Sequence, residues 1–196
     1  MRLFVALDIA AEIRSRIAVL IEGMRGFAPE AHWIRADSLH LTLKFIGESQ
    51  KVEAIRESLS AIRSPSVELT FCGAGFFPTA HAARVFWVGI ESDERLAALA
   101  RSIDDTLVPL GIGKETHAFT PHITLARSGS GSPSRKGSDR KNPIFSGLQK
   151  RLDAMPQPDL GTMTAHEFFL YQSKTAPTGA VYTKLARFAM ELSNKQ

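Results

Sequence analysis

SLHLTLKF (residues 38–45) and TPHITLAR (residues 120–127) carry the same His-x-Thr-Leu core, with the histidines 82 residues apart (40 to 122). In the first, Leu39, Leu41 and Leu43 alternate strictly with His40, Thr42 and Lys44, which is the signature of a half-buried strand, and the second repeats the pattern over His122–Leu125. Residues i and i+2 of a strand point to the same face, roughly 6.6 Å apart at about 3.3 Å rise per residue. His40 and Thr42 therefore look one way while Leu41 and Leu43 anchor the other face. His122 and Thr124 repeat this, with Ile123 and Leu125 as anchors. A strand holds an imidazole and a hydroxyl in fixed relation, which suits a preorganised site.

Outward from each motif the chain repeats itself. Before the first come a β-rich stretch at 2–9 and a helical stripe at 10–25 formed by Ile13, Ile17, Leu20, Ile21 and Met24. After it come a helix at 51–63 and a strand at 67–77 that ends at Pro78. Before the second motif lie a strand at 84–91 and a helix at 93–110, with Leu96, Leu99, Ile103 and Leu107 in register. Strands at 164–173 and 181–188 close the chain. This spacing predicts a duplicated α+β unit. The strand returns read as hairpins, so largely antiparallel sheets are expected. One segment breaks the pattern: SGSGSPSRKGSDRKNP (128–143) has no periodicity and carries Arg135, Lys136, Arg140 and Lys141. It reads as a mobile basic loop leaving the second His-x-Thr strand.

Composition sets the bounds. A chain of 196 residues with 44% apolar content fits one domain, or one domain of two similar lobes, without disulfides or metals. Cys72 is the only cysteine, so no internal disulfide can form. With no signal sequence recognised, a reducing cytoplasm is the expected location. No run approaches the roughly 20 apolar residues of a membrane span, so no membrane partner is expected. A net charge of +4 and a pI near 9.4 give a mild bias toward anionic partners such as nucleic acid.

Two imidazoles and two hydroxyls around one cavity fit hydrolysis of a phosphodiester without a metal. One histidine would activate water and the other protonate the leaving oxygen, roles open to a side chain with a pKa near 6.5. Threonine hydroxyls would donate to the phosphoryl oxygens. The histidines must start in opposite protonation states, which predicts a bell-shaped pH–rate profile. A zinc site would need a third ligand, yet no HExxH or CxxC spacing accompanies these strands. His32, His81, His117 and His166 read as structural or surface residues. No P-loop, dinucleotide fingerprint or nucleophile elbow is present.

With both motifs in view, the chain resembles the two-histidine (2H) phosphoesterase superfamily, most closely the RNA 2′,3′-cyclic phosphodiesterases of the LigT/ThpR-like family. The stretches that carry the likeness are MRLFVALDI, HWIRADSLHLTLKFIGE, GAGFFP, RVFWVGI, FTPHITLAR and LYQSKTAPTGAVYTKLARF, spread over nearly the whole chain. The resemblance implies a bilobal LigT-like α+β fold: a single domain over 1–196 whose lobes exchange strands, with an antiparallel sheet in each lobe, helices outside and a central active-site cleft. It implies opening of a terminal RNA 2′,3′-cyclic phosphate to a 2′-phosphomonoester, with reverse 2′–5′ ligation at the same site. His40 would be the proton donor, His122 the proton acceptor, and Thr42 and Thr124 would grip the phosphate. The internal pseudo-symmetry leaves the swapped assignment open. No cofactor and no metal are implied, and the partner would be RNA with a cyclic-phosphate end, tRNA fragments included, bound by a monomer. The sequence departs from the family in the long basic 128–143 segment and in His117, where a basic Arg or Lys is expected.

Further residues have two readings each. Lys44 shares strand parity with His40 and Thr42, so it is expected to line the cleft. Arg127 has opposite parity to His122 and Thr124. It reaches substrate phosphate only if the strand end bends, and otherwise forms a structural ion pair. Phe4 and Phe76 are expected in the core, with base stacking as the alternative. The 128–143 segment is expected to be disordered, with RNA-backbone contact as the alternative. Two rival functions stand beside the main one: an enzyme acting on other cyclic or 2′–5′-linked nucleotides, and a non-catalytic nucleotide- or RNA-binding module.

Overall fold

The computed structural model describes residues 1–129, 143–176 and 179–191. The chain runs β1 (Arg2–Leu7), α1 (Ala11–Arg25), β2 (His32–Trp33), β3 (Leu41–Glu48), α2 (Val52–Ser60), β4 (Val67–Phe77), β5 (Val85–Glu91), α3 (Glu94–Leu107), β6 (His122–Arg127), α4 (Ser146–Asp153), β7 (Asp159–Ala165), β8 (Glu167–Ala176) and β9 (Gly179–Ala189). The strands form two sheets, ordered β3-β1-β8-β9 and β2-β6-β5-β4-β7, and their ladders are antiparallel. The expected α+β architecture, with an antiparallel sheet in each half, is thus present. Strands are traded between the halves: β8 and β9 complete the sheet of β1 and β3, while β4 lies between β5 and β7.

The helices form where apolar residues recur at three- and four-residue steps. In α1 the buried face is Ile13, Ile17, Ile21 and Met24. In α3 it is Leu96, Leu99, Ile103 and Leu107, and Asp93 caps the helix by accepting from the Arg95 amide at 3.0 Å. These helices pack across the halves, α1 on β7 and α3 on β3. Leu41 and Leu43 of β3 share one continuous core with Ile123 and Leu125 of β6, and all four are at most 6% exposed. The anchor side of each His-x-Thr strand is therefore locked into the same apolar interior.

Each of these strands carries a β-bulge at the same place. In β3, Thr42 faces Ala6 and Lys44 faces Val5, so Leu43 is the extra residue. In β6, Thr124 faces Trp87 and Ala126 faces Phe86, so Leu125 is the extra residue. A bulge adds one residue against its partner strand and flips the alternation beyond it. The burial of the two strands shows the flip, with Leu43 and Lys44 consecutively buried in one and Leu125 and Ala126 in the other.

This corrects the expectation for Lys44. Strict alternation puts it on the cleft face; past the bulge it points into the protein. Its ammonium lies 2.5 Å from Asp104 Oδ1 and 2.7 Å from the Gly113 carbonyl, with the side chain 4% exposed. Lys44 holds Asp104 ionised: its bond and charge outweigh the upward push of burial and keep the carboxyl below its ordinary range. Two further expectations shift, and a third is left untested. The predicted 164–173 strand is two strands, because the chain crosses from one sheet to the other at His166 between β7 and β8. Strand β7 and helix α4 were not anticipated. The basic segment 128–143 lies, over residues 130–142, outside the described residues.

Removing Lys44 leaves a buried carboxylate unpaired. We expect Lys44→Ala to lower the unfolding free energy by about 3–5 kcal/mol, read as a drop in the urea midpoint. A Lys44→Met, Asp104→Leu double variant should recover most of the loss. A Lys44→Ala midpoint equal to that of the parent would place the pair outside the core.

Candidate active site

His40 and His122 stand at the start of their strands and are anchored identically. His40 Nδ1 lies 2.8 Å from the Ser38 carbonyl, and His122 Nδ1 lies 2.7 Å from the Thr120 carbonyl. A carbonyl can only accept, so each Nδ1 carries a proton and donates it. Each neutral imidazole then keeps its Nε2 lone pair for chemistry. The backbone that fixes the ring is the segment leading into the same strand, so anchor and ring move together.

Aromatic rings wedge both imidazoles. Around His40 stand Phe4 (centroids 4.8 Å apart), Tyr182 (5.0 Å, edge-on) and Tyr171 (6.2 Å). His122 has Phe77 edge-on at 4.9 Å and Trp87 at 6.4 Å. Trp87 reaches this place because residue 75 is glycine: a Cβ there would sit 2.5 Å from the indole ring. The indole Nε1–H is buried and finds no acceptor among the described residues.

Burial is the largest influence on both histidines and pushes their pKa values down, while the carbonyl bonds push the other way. Arg127 lowers both. One guanidinium on β6 thus acts on an imidazole in each sheet, and β3 and β6 touch across the interior. Asp8 acts on His40 in the opposite sense, and among the described residues no carboxylate acts comparably on His122. Asp8 is itself held by Arg14 at 2.7 Å and Lys184 at 2.6 Å.

Thr42 and Thr124 lie on the faces of their histidines, half-buried. Neither hydroxyl has a hydrogen-bond partner among the described residues. Arg127, which needed a bend to reach this face, is delivered there by the bulge after Leu125 and is exposed. At the matching position of β3 the bulge delivers Phe45, 61% exposed and 6.4 Å from the Phe4 ring. Phe4, 4% exposed, packs directly against the His40 ring, whereas Phe76 joins Phe86 and Phe145. His32, His81, His117 and His166 are exposed.

Sequence reasoning passed over Phe45, Phe77, Trp87, Tyr171 and Tyr182. The alternation within β8 and β9 held the signal for the two tyrosines. Ser173 faces Tyr182 and Tyr171 faces Lys184, so these residues share one face of the sheet. For Phe45 the bulge concealed it.

These histidine–threonine strands, set in two antiparallel sheets with helices outside, define a two-histidine phosphoesterase architecture. The chain belongs to the 2′-5′ RNA ligase superfamily, whose family model matches residues 12–154. It is 32% identical over 194 residues to the RNA 2′,3′-cyclic phosphodiesterase of Escherichia coli, covering 96% of each chain. To the protein of that name from Archaeoglobus fulgidus it is 30% identical over 190 residues, covering 96% of this chain and 99% of the relative. Among solved structures it resembles E. coli LigT complexed with 3′-AMP, with a TM-score of 0.74 and 31% identity over 96% of this chain and 97% of that one.

With both imidazole pKa values below the ordinary 6.5, the unfolded chain binds more protons than the folded one at mildly acidic pH. The stability these groups contribute is therefore full above about pH 6.5 and is lost as pH falls through the lowered values. A bound anion has the opposite effect, because it favours imidazolium. NMR titration of the ring protons should give midpoints for both histidines below about 6.5 in the free protein, moving upward when sulfate is added. A midpoint at or above the ordinary value in the free protein would contradict the burial.

Proposed function

We propose that this protein is a phosphodiesterase that opens an RNA terminal 2′,3′-cyclic phosphate to a 2′-phosphomonoester. The pair of carbonyl-anchored imidazoles carries this reading, and the names of the relatives support it. Water attacks phosphorus as His122 Nε2 takes its proton. The P–O3′ bond breaks as His40 Nε2–H gives its proton to the departing 3′ oxygen. The Thr42 and Thr124 hydroxyls donate to the non-bridging oxygens, where charge builds.

Asp8 supports His40 as the proton donor. Its carboxylate favours imidazolium at His40 against burial, Arg127 and Arg14, which push the other way, and His122 has no such carboxylate neighbour among the described residues. Arg127 keeps His122 neutral and makes His40⁺ a stronger acid. With a 5′ hydroxyl of another strand in place of water, the same groups would form a 2′–5′ linkage: the hydroxyl attacks phosphorus as it loses its proton to His122, and the P–O3′ bond breaks as the 3′ oxygen takes a proton from His40. Base, acid and donors all come from the chain, so every step is assigned without a metal or a nucleotide cofactor. Among the described residues no helix is long and apolar enough to cross a membrane. We further infer one bilobal unit acting as a monomer in the cytoplasm on RNA ends such as tRNA fragments.

The test is to incubate the protein, with chelator present, with an oligonucleotide ending in a 2′,3′-cyclic phosphate and follow the product by phosphorus NMR. The 2′-monoester should form. His40→Ala and His122→Ala should each cut the rate by about 10²–10⁴ with unchanged circular dichroism. Release of the 3′-monoester, or full activity in either variant, would refute these roles. Turnover of 2′–5′ oligoadenylate in preference to the cyclic end would shift the substrate class.

A further inference from the structure

Exposed arginines on this protein are commonly matched to carboxylates, as Arg16 is to Glu12, Arg25 to Glu22, Arg35 to Asp37 and Arg56 to Glu53. Arg2 and Arg127, like Arg63, Arg101 and Arg151, form no ion pair among the described residues; of these five, Arg2 and Arg127 act on the Tyr182 phenol beside His40. Glu48, which faces Arg2 across the β1–β3 ladder, is engaged at 3.2 Å by the N-terminal ammonium.

Strand register sets Arg2 in line with Tyr182, and the bulge after Leu125 turns Arg127 to the His122 side of its own strand. Arg2 faces Ser173 and Ser173 faces Tyr182, so the three residues form a row on one face of their sheet. Tyr182 leans from that row onto the catalytic ring, 5.0 Å from His40 and 5.2 Å from Phe4. The charges of Arg2 and Arg127 both act on its phenol, opposing the upward push of burial. The Tyr182 hydroxyl has no hydrogen-bond partner among the described residues. Two guanidiniums without a carboxylate and a hydroxyl without a partner among the described residues, delivered by three strands from both sheets, are the donor set of a phosphate site. The terminal phosphate is already provided for by the histidines and threonines. From Thr124 to Arg127 the strand advances two pleat positions, roughly 6.6 Å, which sets the arginine beyond the cyclic phosphate.

We propose that Arg2, Tyr182 and Arg127 form a second anion subsite for the internucleotide phosphate immediately 5′ of the cyclic end. It rests on the phosphodiesterase reading for what occupies the first site. Its consequence is a preference for an oligonucleotide end over a cyclic mononucleotide. Phe45, exposed beside Phe4, lies within the same sheet face and offers a ring for a base on this path.

The test compares a dinucleotide ending in a 2′,3′-cyclic phosphate with the matching nucleoside 2′,3′-cyclic phosphate, using the parent, Arg2→Gln and, as a control, the exposed Arg101→Gln of α3. The parent should favour the dinucleotide in kcat/KM. Arg2→Gln should shrink that preference about tenfold, the size of one charge-assisted hydrogen bond, and flatten the salt dependence for the dinucleotide alone. Arg101→Gln should do neither. Calorimetry with the 2′-phosphorylated dinucleotide and mononucleotide reads the same preference as binding. No turnover of either substrate would refute the phosphodiesterase reading, while the binding arm would still decide the subsite. Equal treatment of both ligands by the parent, or an Arg2→Gln loss equal for both, would overturn the subsite.

Discussion

The site depends on a hydrogen bond made twice, from a histidine Nδ1–H to the carbonyl two residues before it. At 2.8 Å for His40 and 2.7 Å for His122, it fixes the ring's orientation and its tautomer together. A half-buried imidazole otherwise loses a solvated partner and gains a choice of two neutral forms, only one of which leaves Nε2 free. The backbone removes that choice before any substrate arrives, as preorganised catalysis requires. Aromatic walls then complete the constraint. Phe4 and Tyr182 on one side and Phe77 on the other hold the rings and keep them dry enough to depress their basicity.

A second constraint follows from backbone geometry. Each His-x-Thr strand must serve two masters, a core that wants leucines and a cleft that wants polar atoms. The bulge at Leu43, and its twin at Leu125, reassigns the residues beyond it. Lys44 goes inward and ties β3 to α3 through Asp104. Phe45 and Arg127 come outward to equivalent places on facing strands. The fold is duplicated to the level of the bulge, yet those places hold an aromatic ring in one half and a cation in the other. Chemical asymmetry thus enters a near-symmetric cleft through side chains, and the Asp8–Arg14 pair adds to it by acting, in opposite senses, on His40.

The legible part of the sequence was what periodicity encodes. His40, Thr42, His122 and Thr124 fall on the expected faces because they precede the bulges. The helices follow their apolar stripes for the same reason: α1 and α3 each have a long one-sided pattern. Lys44 was misplaced because alternation was extended one residue too far, and a bulge has no fixed residue signature. Strand β7 was missed because its pattern is diluted by Gly161 and exposed threonines, so nothing marked the crossing at His166. Apart from Phe4 on β1, the aromatic walls come from β4, β5, β8 and β9, and only the sheet order brings those strands beside the two histidines. Pairings between distant segments are not written in local pattern.

The central claim is that both imidazoles serve one phosphorus atom. It is tested most directly by a crystal structure of the protein with a uridine–vanadate complex, a five-coordinate mimic of the reacting phosphate. The account predicts one vanadium centre with His40 Nε2 and His122 Nε2 on its opposed apical oxygens, and the Thr42 and Thr124 hydroxyls on its equatorial ones. A vanadium centre bound to only one histidine, with the other Nε2 turned away, would contradict it.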